Sequence, residues 1–262
     1  MIGIFDSGLG GLGVLREMIP LFVDETLVYV ADRARAPYGS RSLAEVRELS
    51  HAIGSGLIEE GASTIVVACN TASAGALSSL RSQFPTTKFV GMEPAVKPAA
   101  QATRSGIIGV LATEVTFQGE LFSSLADQYA SDLTILTRAA PEWVQLVERG
   151  LVDGPEVEAS VKEQVDPLIK RGADTLVLGC THFPFLSAAI RAAAGGEVSI
   201  IDPAPAVALQ ARRIHVDSGA GPDLRARVSG SIEDFAALSR TIAGIEFSGG
   251  VLPLRGDDRV QT

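Results

Sequence analysis

The chain has 262 residues, 46% of them hydrophobic and only 5% aromatic, with a formal net charge of −9. Such a composition describes a globular protein with an aliphatic core, large enough for one big domain or two small ones. The acidic balance argues against nonspecific nucleic-acid binding, which needs a basic surface to displace counterions. It leaves room for a small anionic ligand, because backbone N–H groups hold anions within acidic proteins. No stretch approaches the ~20 apolar residues of a membrane span. Met1-Ile2-Gly3-Ile4-Phe5-Asp6 places no basic segment ahead of an apolar run, so it does not read as a signal peptide. A cytoplasmic protein is expected, with its two cysteines, Cys69 and Cys180, reduced rather than bridged.

Ile2 to Phe5 is an apolar run that stops at Asp6-Ser7-Gly8-Leu9-Gly10-Gly11, and Leu12, Leu15, Met18 and Ile19 follow at helical spacing. Strand, glycine loop and helix are expected in that order. The loop lacks the Gly-x-Gly-x-x-Gly spacing of a dinucleotide fold and has an acid ahead of its glycines, so a nucleotide site is discounted. Leu27 to Ala31 reads as a second strand, Asp32 to Ser42 as a polar loop, and Leu43 to Leu57 as a helix in which His51 is structural. A third strand, Thr64 to Ala68, runs into Cys69-Asn70-Thr71 and a helix through Leu80. Lys88 to Gly91 is a fourth strand, closed by Met92-Glu93-Pro94.

The pattern then restarts. Ser105 to Thr113 resembles the opening strand, with Thr113 against Ser7 and Ala112 against Asp6. A helix from Thr116 to Tyr129, a strand from Leu133 to Thr137, and helices over Glu142–Arg149 and Pro155–Lys170 are expected next. Gly172 to His182 repeats Gly61 to Asn70-Thr71 at constant offset, so that a strand over Thr175–Leu178 delivers Cys180 where the first copy delivers Cys69. Val198 to Ile201 is a further strand, a last helical stretch begins near Ala206, and the tail from Ser248 reads as weakly ordered.

Alternating strands and helices with continuous Val/Ile/Leu runs imply parallel sheets buried on both faces. The restart implies two similar α/β domains of flavodoxin-like build, pseudo-symmetric about a cleft. Residues 98–206 are assigned to the second domain, and 1–97 with 207–262 to the first, the last segment packing back. Ligands of open parallel sheets sit beyond the carboxyl ends of the strands, where Asp6-Ser7, Cys69-Asn70-Thr71, Thr113 and Cys180-Thr181-His182 all fall.

Four readings compete for the paired cysteines. Cys180 and His182 are too close in sequence for a comfortable metal chelate and no fourth ligand is evident, so no metal is expected. One nucleophilic cysteine with a histidine base leaves the other unexplained. Buried core cysteine is the ordinary alternative, weakened by hydroxyl and amide neighbours at both positions. A pair of acid–base groups fits best. Inverting a stereocentre takes a base on one face of a carbon and an acid on the other, and each thiol serves in either state if an auxiliary group or a helix N-terminus favours its ionisation. Asp6 is placed to assist Cys69, and His182 to assist Cys180.

Asp6-Ser7-Gly8-Leu9-Gly10-Gly11, Pro37-Tyr38-Gly39, Ala68-Cys69-Asn70-Thr71, Thr113 with Thr116, and Gly179-Cys180-Thr181-His182-Phe183-Pro184 together resemble, in order, the signature blocks of the glutamate racemase family. The resemblance implies a cofactor-independent enzyme that interconverts L- and D-glutamate for peptidoglycan synthesis, as a cytoplasmic homodimer. It implies that Cys69 abstracts the α-proton of D-glutamate and Cys180 that of L-glutamate, with Asp6 and His182 as helpers and Glu148 as a further one beside Cys180. Asp6, Ser7, Pro37, Tyr38, Gly39, Asn70, Thr71, Thr113, Thr116, Thr181 and His182 would contact substrate. Ala112 before Thr113, and Phe183, depart from the commonest family residues, glycine and tyrosine. A racemase or decarboxylase-like relative for another small acid such as aspartate, and a non-catalytic carboxylate-binding protein, are the alternatives.

Overall fold

The computed structural model describes residues 1–118, 123–124, 128–129, 133–219 and 221–254. The first half of the chain gives β1 (Ile2–Asp6), α1 (Leu12–Met18), β2 (Thr26–Ala31), α2 (Leu43–Glu59), β3 (Thr64–Val67), α3 (Asn70–Gln83), β4 (Lys88–Gly91), α4 (Val96–Ala102), β5 (Ile107–Ala112) and α5 (Glu114–Gln118). There follow β6 (Thr134–Ala139), α6 (Pro141–Glu148), α7 (Pro155–Lys170), β7 (Thr175–Gly179), α8 (Ser187–Ala194) and β8 (Ser199–Ile201). The chain continues through α9 (Ala204–Ile214), β9 (Asp223–Val228), α10 (Ile232–Leu238) and β10 (Val251–Pro253).

Two sheets result, ordered β10-β9-β2-β1-β3-β4 and β6-β5-β7-β8. Every described pairing is parallel. The first four strands of each half take the same 2-1-3-4 order, which is the flavodoxin-like arrangement expected from the restart. Helices cover both faces. Ile4, Leu15, Tyr29 and Phe235 form the core on one side of the first sheet, and Phe5, Val30, Ile65 and Leu80 the core on the other. Trp143, Val161, Leu176 and Leu178 fill one side of the second sheet, and Val96, Ile108, Val110 and Val177 the other. The chain crosses between the two lobes twice. Met92 belongs to the first core and Val96 to the second-sheet core, and after β8 the chain re-enters the first core at Ala204.

Local chemistry explains the element ends. Ser42 caps α2 by accepting from the Glu45 amide at 3.2 Å, while the Glu45 carboxylate accepts from the Ser42 amide at 3.0 Å. Pro155 opens α7 with Glu156 and Glu158 in the first turn, and Lys170 lies in the last. The expected helix over Thr116–Tyr129 begins earlier, at Glu114, and residues 119–122 lie outside the described set. Two expectations need correction. The segment after α9 carries more than a helix: β9 pairs with β2 along its whole length and α10 follows. The tail after Ser248 adds β10, which pairs Val251, Leu252 and Pro253 with Ala226, Arg227 and Val228. Alternation in β9 sends Ala226 and Val228 into the core on one face, while Arg227 between them turns to the other and pairs with Glu60 at 3.0 Å.

Candidate active site

The carboxyl ends of the two sheets meet around one small cavity. Ser7, Pro37, Tyr38, Gly39, Cys69, Asn70 and Thr71 line it from the first lobe. Thr113, Cys180, Thr181 and His182 line it from the second, together with Val144 from α6, which the sequence did not single out. Asp6, Thr116 and Glu148 stand one layer behind, joined to lining residues by hydrogen bonds. The cavity measures about 20 Å³, enough for a water molecule and too small for an amino acid.

Cys69 is the residue that caps α3: its Sγ accepts from the Ala72 amide at 3.5 Å, and its thiol reaches Ser7 Oγ at 3.9 Å. Burial pushes this thiol up, the negative charge of Asp6 pushes it further, and the Ala72 amide opposes both without prevailing. The expected lowering by the helix N-terminus is therefore overridden here. Asp6 ends β1 and is fully buried. Its Oδ2 accepts from the Gly8 amide at 2.9 Å and its Oδ1 from Thr181 Oγ1 at 3.4 Å. Burial raises the pKa of its carboxyl group against the pull of His182. Among the described residues Asp6 makes no bond to Cys69, so its influence there is exerted through charge.

Cys180 follows β7, with Sγ 3.7 Å from His182 Nδ1. His182 Nε2 in turn lies 2.8 Å from Glu148 Oε1. Burial alone would lower the histidine, yet its bonds to Cys180 and Glu148 hold it well above its ordinary value. Burial would likewise raise Glu148, and the His182 contact outweighs it, so this carboxylate stays low. Glu148 is thus no solvated helix carboxylate; its side chain is 17% exposed. It also accepts from the Leu9 amide at 2.6 Å and from Arg33 Nε at 3.2 Å. No α-helix begins directly at Cys180, as the repeat had suggested; a 3-10 turn over Phe183–Leu186 comes first, and Phe183 packs edge-on against Trp143 at 4.8 Å.

The glycine loop makes these approaches possible. A Cβ on Gly10 would lie 2.5 Å from His182 Nδ1, and one on Gly8 would lie 2.7 Å from Glu148 Cδ. Thr71, Thr113 and Thr116 form a hydroxyl chain across the lobes, with spacings of 3.0 and 2.9 Å. Asn70 is 3% exposed, and neither its amide nitrogen nor its amide oxygen has a hydrogen-bond partner. A buried amide with open bonds on a cavity wall is a ligand contact in waiting. The Tyr38 hydroxyl, by contrast, donates to Asp32 Oδ2 at 2.7 Å, which leaves its ring to shape the wall. Asp32, fully buried, also accepts from Arg35 at 2.6 Å and Ser229 at 2.7 Å. The sequence signal for it was an acid directly after β2, one position beyond the strand residue Ala31 that pairs with Asp6.

Among the described residues, one group brings possible metal ligands within 4.8 Å, and it lies outside the cavity: Glu25, His215 and Asp217. It lies at the opposite end of the sheet, before β2. Glu25 is engaged by Ser218, and Asp217 by Arg212 at 2.8 and 3.1 Å.

One thiol from each of two equivalent strands faces a shared pocket, with Asp6 near one and His182 and Glu148 near the other, an arrangement of the kind a racemase needs. The profile of the Asp/Glu/hydantoin racemases matches residues 14–211, and the chain belongs to that family. Within it, the chain is 50% identical over 218 residues to a glutamate racemase of Roseiflexus sp., covering 83% of this chain and 80% of that protein. Solved structures agree. A glutamate racemase isoform of Bacillus anthracis superposes with a TM-score of 0.88 at 31% identity, over 98% of both chains. The glutamate racemase of Escherichia coli, solved with L-glutamate and an activator, gives 0.85 at 30% identity over 97% of both.

Proposed function

We propose that this protein is a cofactor-independent glutamate racemase that interconverts L- and D-glutamate by proton transfer at the α-carbon between Cys69 and Cys180. The observation that carries the reading is the pair of buried thiols, one from each sheet, on one cavity. For D-glutamate, Cys69 takes the α-proton while Cys180 delivers one to the opposite face; for L-glutamate the roles exchange. Burial keeps Cys69 protonated at rest. Asp6 then holds the substrate ammonium near Cys69, and that positive charge offsets the carboxylate and eases formation of the thiolate. On the other wall the Glu148–His182 pair receives or returns the proton of Cys180. The α-carboxylate meets Asn70 and the amides at the start of α3, and the threonine hydroxyls of both lobes hold the other oxygens. Ser7, Pro37, Tyr38, Gly39 and Val144 close the pocket around the substrate.

The supporting relatives are glutamate racemases, which favours glutamate over aspartate as substrate. The product D-glutamate would serve peptidoglycan synthesis in the cytoplasm. A homodimer is the working assembly in this reading, and the second lobe, from Val96 to Ile201, moves as one body against the rest of the chain. No described helix is long and apolar enough to cross a membrane.

Incubation with L-glutamate in deuterated water, followed by chiral separation, tests the proposal. D-glutamate deuterated at the α-carbon is the expected product, and a chelator leaves its rate unchanged. Cys69→Ser and Cys180→Ser each lose at least ~100-fold in turnover, since either direction needs both groups. Absence of both exchange and racemisation in the wild type would reject the activity, and near-normal turnover in either variant would reject the two-thiol mechanism.

A further inference from the structure

Arg33 belongs to none of the groups assigned above, yet it grips the relay behind Cys180. It lies in the short helical turn Arg33–Arg35 after β2, on the first lobe, whereas Glu148 ends α6 on the second. Its Nε donates to Glu148 Oε2 at 3.2 Å and its Nη2 to the Glu148 carbonyl oxygen at 3.3 Å. One guanidinium thus holds both the side chain and the backbone of the same residue. The opposite carboxylate oxygen, Oε1, is shared between the Leu9 amide and His182 Nε2. Three bonds on its two oxygens fix the carboxylate, a fourth holds the Glu148 carbonyl oxygen, and a planar forked donor fixes such an acceptor better than a point charge.

The platform beneath Arg33 is itself pinned. The Ala34 amide donates to Ser229 Oγ at 3.0 Å, and Asp32 anchors Arg35, Tyr38 and Ser229. The Arg33 side chain is only 16% exposed, so the pair sits partly out of water and is screened less than a surface bridge. Other charged or titratable groups facing Glu148 are His182 and, across the loop, Asp6 and Tyr29. Arg33 is the one fixed cation among them.

We propose that Arg33 is a positioning residue that fixes the Glu148 carboxylate from across the cleft, so that the Glu148–His182–Cys180 relay is assembled only when the two lobes are closed. The inference rests on the racemase reading. Two of the four bonds to the Glu148 side chain and backbone come from Arg33 and a third from Leu9, all on the first lobe. Lobe separation removes these three at once and leaves His182 with a carboxylate free to turn away. Water entering the open cleft then meets a disassembled proton path.

A double-mutant cycle of Arg33→Ala and Glu148→Gln, measured as racemisation of glutamate, tests this. Arg33→Ala is expected to lower kcat about 10-fold with KM within about 2-fold, and to add no further loss in the Glu148→Gln background. Arg33→Lys, which keeps the charge but not the fork, recovers part of the loss. An Arg33→Ala enzyme within about 2-fold of wild type, or a loss that persists undiminished beside Glu148→Gln, overturns the proposal. A wild type that does not racemise glutamate rejects the racemase reading instead. The positioning claim is then decided by the carboxyl carbon resonance of Glu148, identified by its disappearance in Glu148→Gln. Its titration moves to higher pH in Arg33→Ala and stays close to wild type in Arg33→Lys if the grip is real, and is unmoved in both if it is not.

Discussion

Cys69 and Cys180 occupy equivalent strand ends but different electrostatic surroundings. Cys69 faces a buried carboxylate that opposes its ionisation, so in the proposed reaction the substrate ammonium is what favours its thiolate. Cys180 faces an imidazole whose contacts with Cys180 and Glu148 hold it above its ordinary pKa. The His182–Glu148 pair has a stability signature whose sign is fixed. His182 is raised above 6.5, so its contribution is whole below that pH and fades as pH climbs through the raised value. Glu148 is lowered from 4.5, so its contribution is whole above that pH and fades as pH falls through the lowered value. The stability advantage of wild type over His182→Gln should therefore be widest between pH 4.5 and 6.5, at about 2 kcal/mol, and shrink on both sides. Thermal melting of both proteins across pH is the measurement. A difference that is flat with pH would mean that the two groups are not ionised together.

Among the elements, the loop between β1 and α1 does more than turn the chain. Gly8 and Gly10 give up their side chains so that Glu148, Thr181 and His182 of the other lobe press directly on the backbone. Gly10→Ala is expected to fold and to lose about 100-fold in turnover, because a methyl group there displaces His182 by the order of 1 Å. Steady-state kinetics with a melting curve separates this from global unfolding; unchanged turnover would mean that His182 does not work from the observed position. The sequence showed this loop as strand, glycines and helix, and it placed Asp6, both cysteines and His182 at strand ends, because aliphatic runs buried on both faces are unmistakable. Leu-Arg-Ala-Arg-Val in β9 was missed for the complementary reason. It lies toward the border of its sheet, alternates apolar with charged, and so resembles a loop until the period of two is read at Leu224, Ala226 and Val228. Arg33 was hidden differently: nothing local tells a polar loop that Glu148, 115 residues on, will fold over it.

At the scale of the whole molecule, a pocket of about 20 Å³ is too small for glutamate, so the proposed reaction requires the lobes to part. The Leu9 amide reports on that motion, since its bond to Glu148 bridges the cleft at 2.6 Å. Its hydrogen exchange should slow at least ~10-fold under saturating glutamate, while the amide of Val66, inside the first sheet, keeps its rate. Equal slowing at both would point to global stabilisation rather than closure.

The two chain crossings decide what form that motion takes. One lies between Met92 and Val96 and the other between Ile201 and Ala204, and both border a cavity of about 610 Å³. A body tied to another at a single point can swivel in any direction, whereas two pivots define an axis and leave one easy rotation. In the proposed reaction the lobes would therefore swing apart like a door on two pins rather than twist or slide. Each closure would then return the thiols of Cys69 and Cys180 to the same alignment, with the register of the proposed chemistry set by the routing of the backbone.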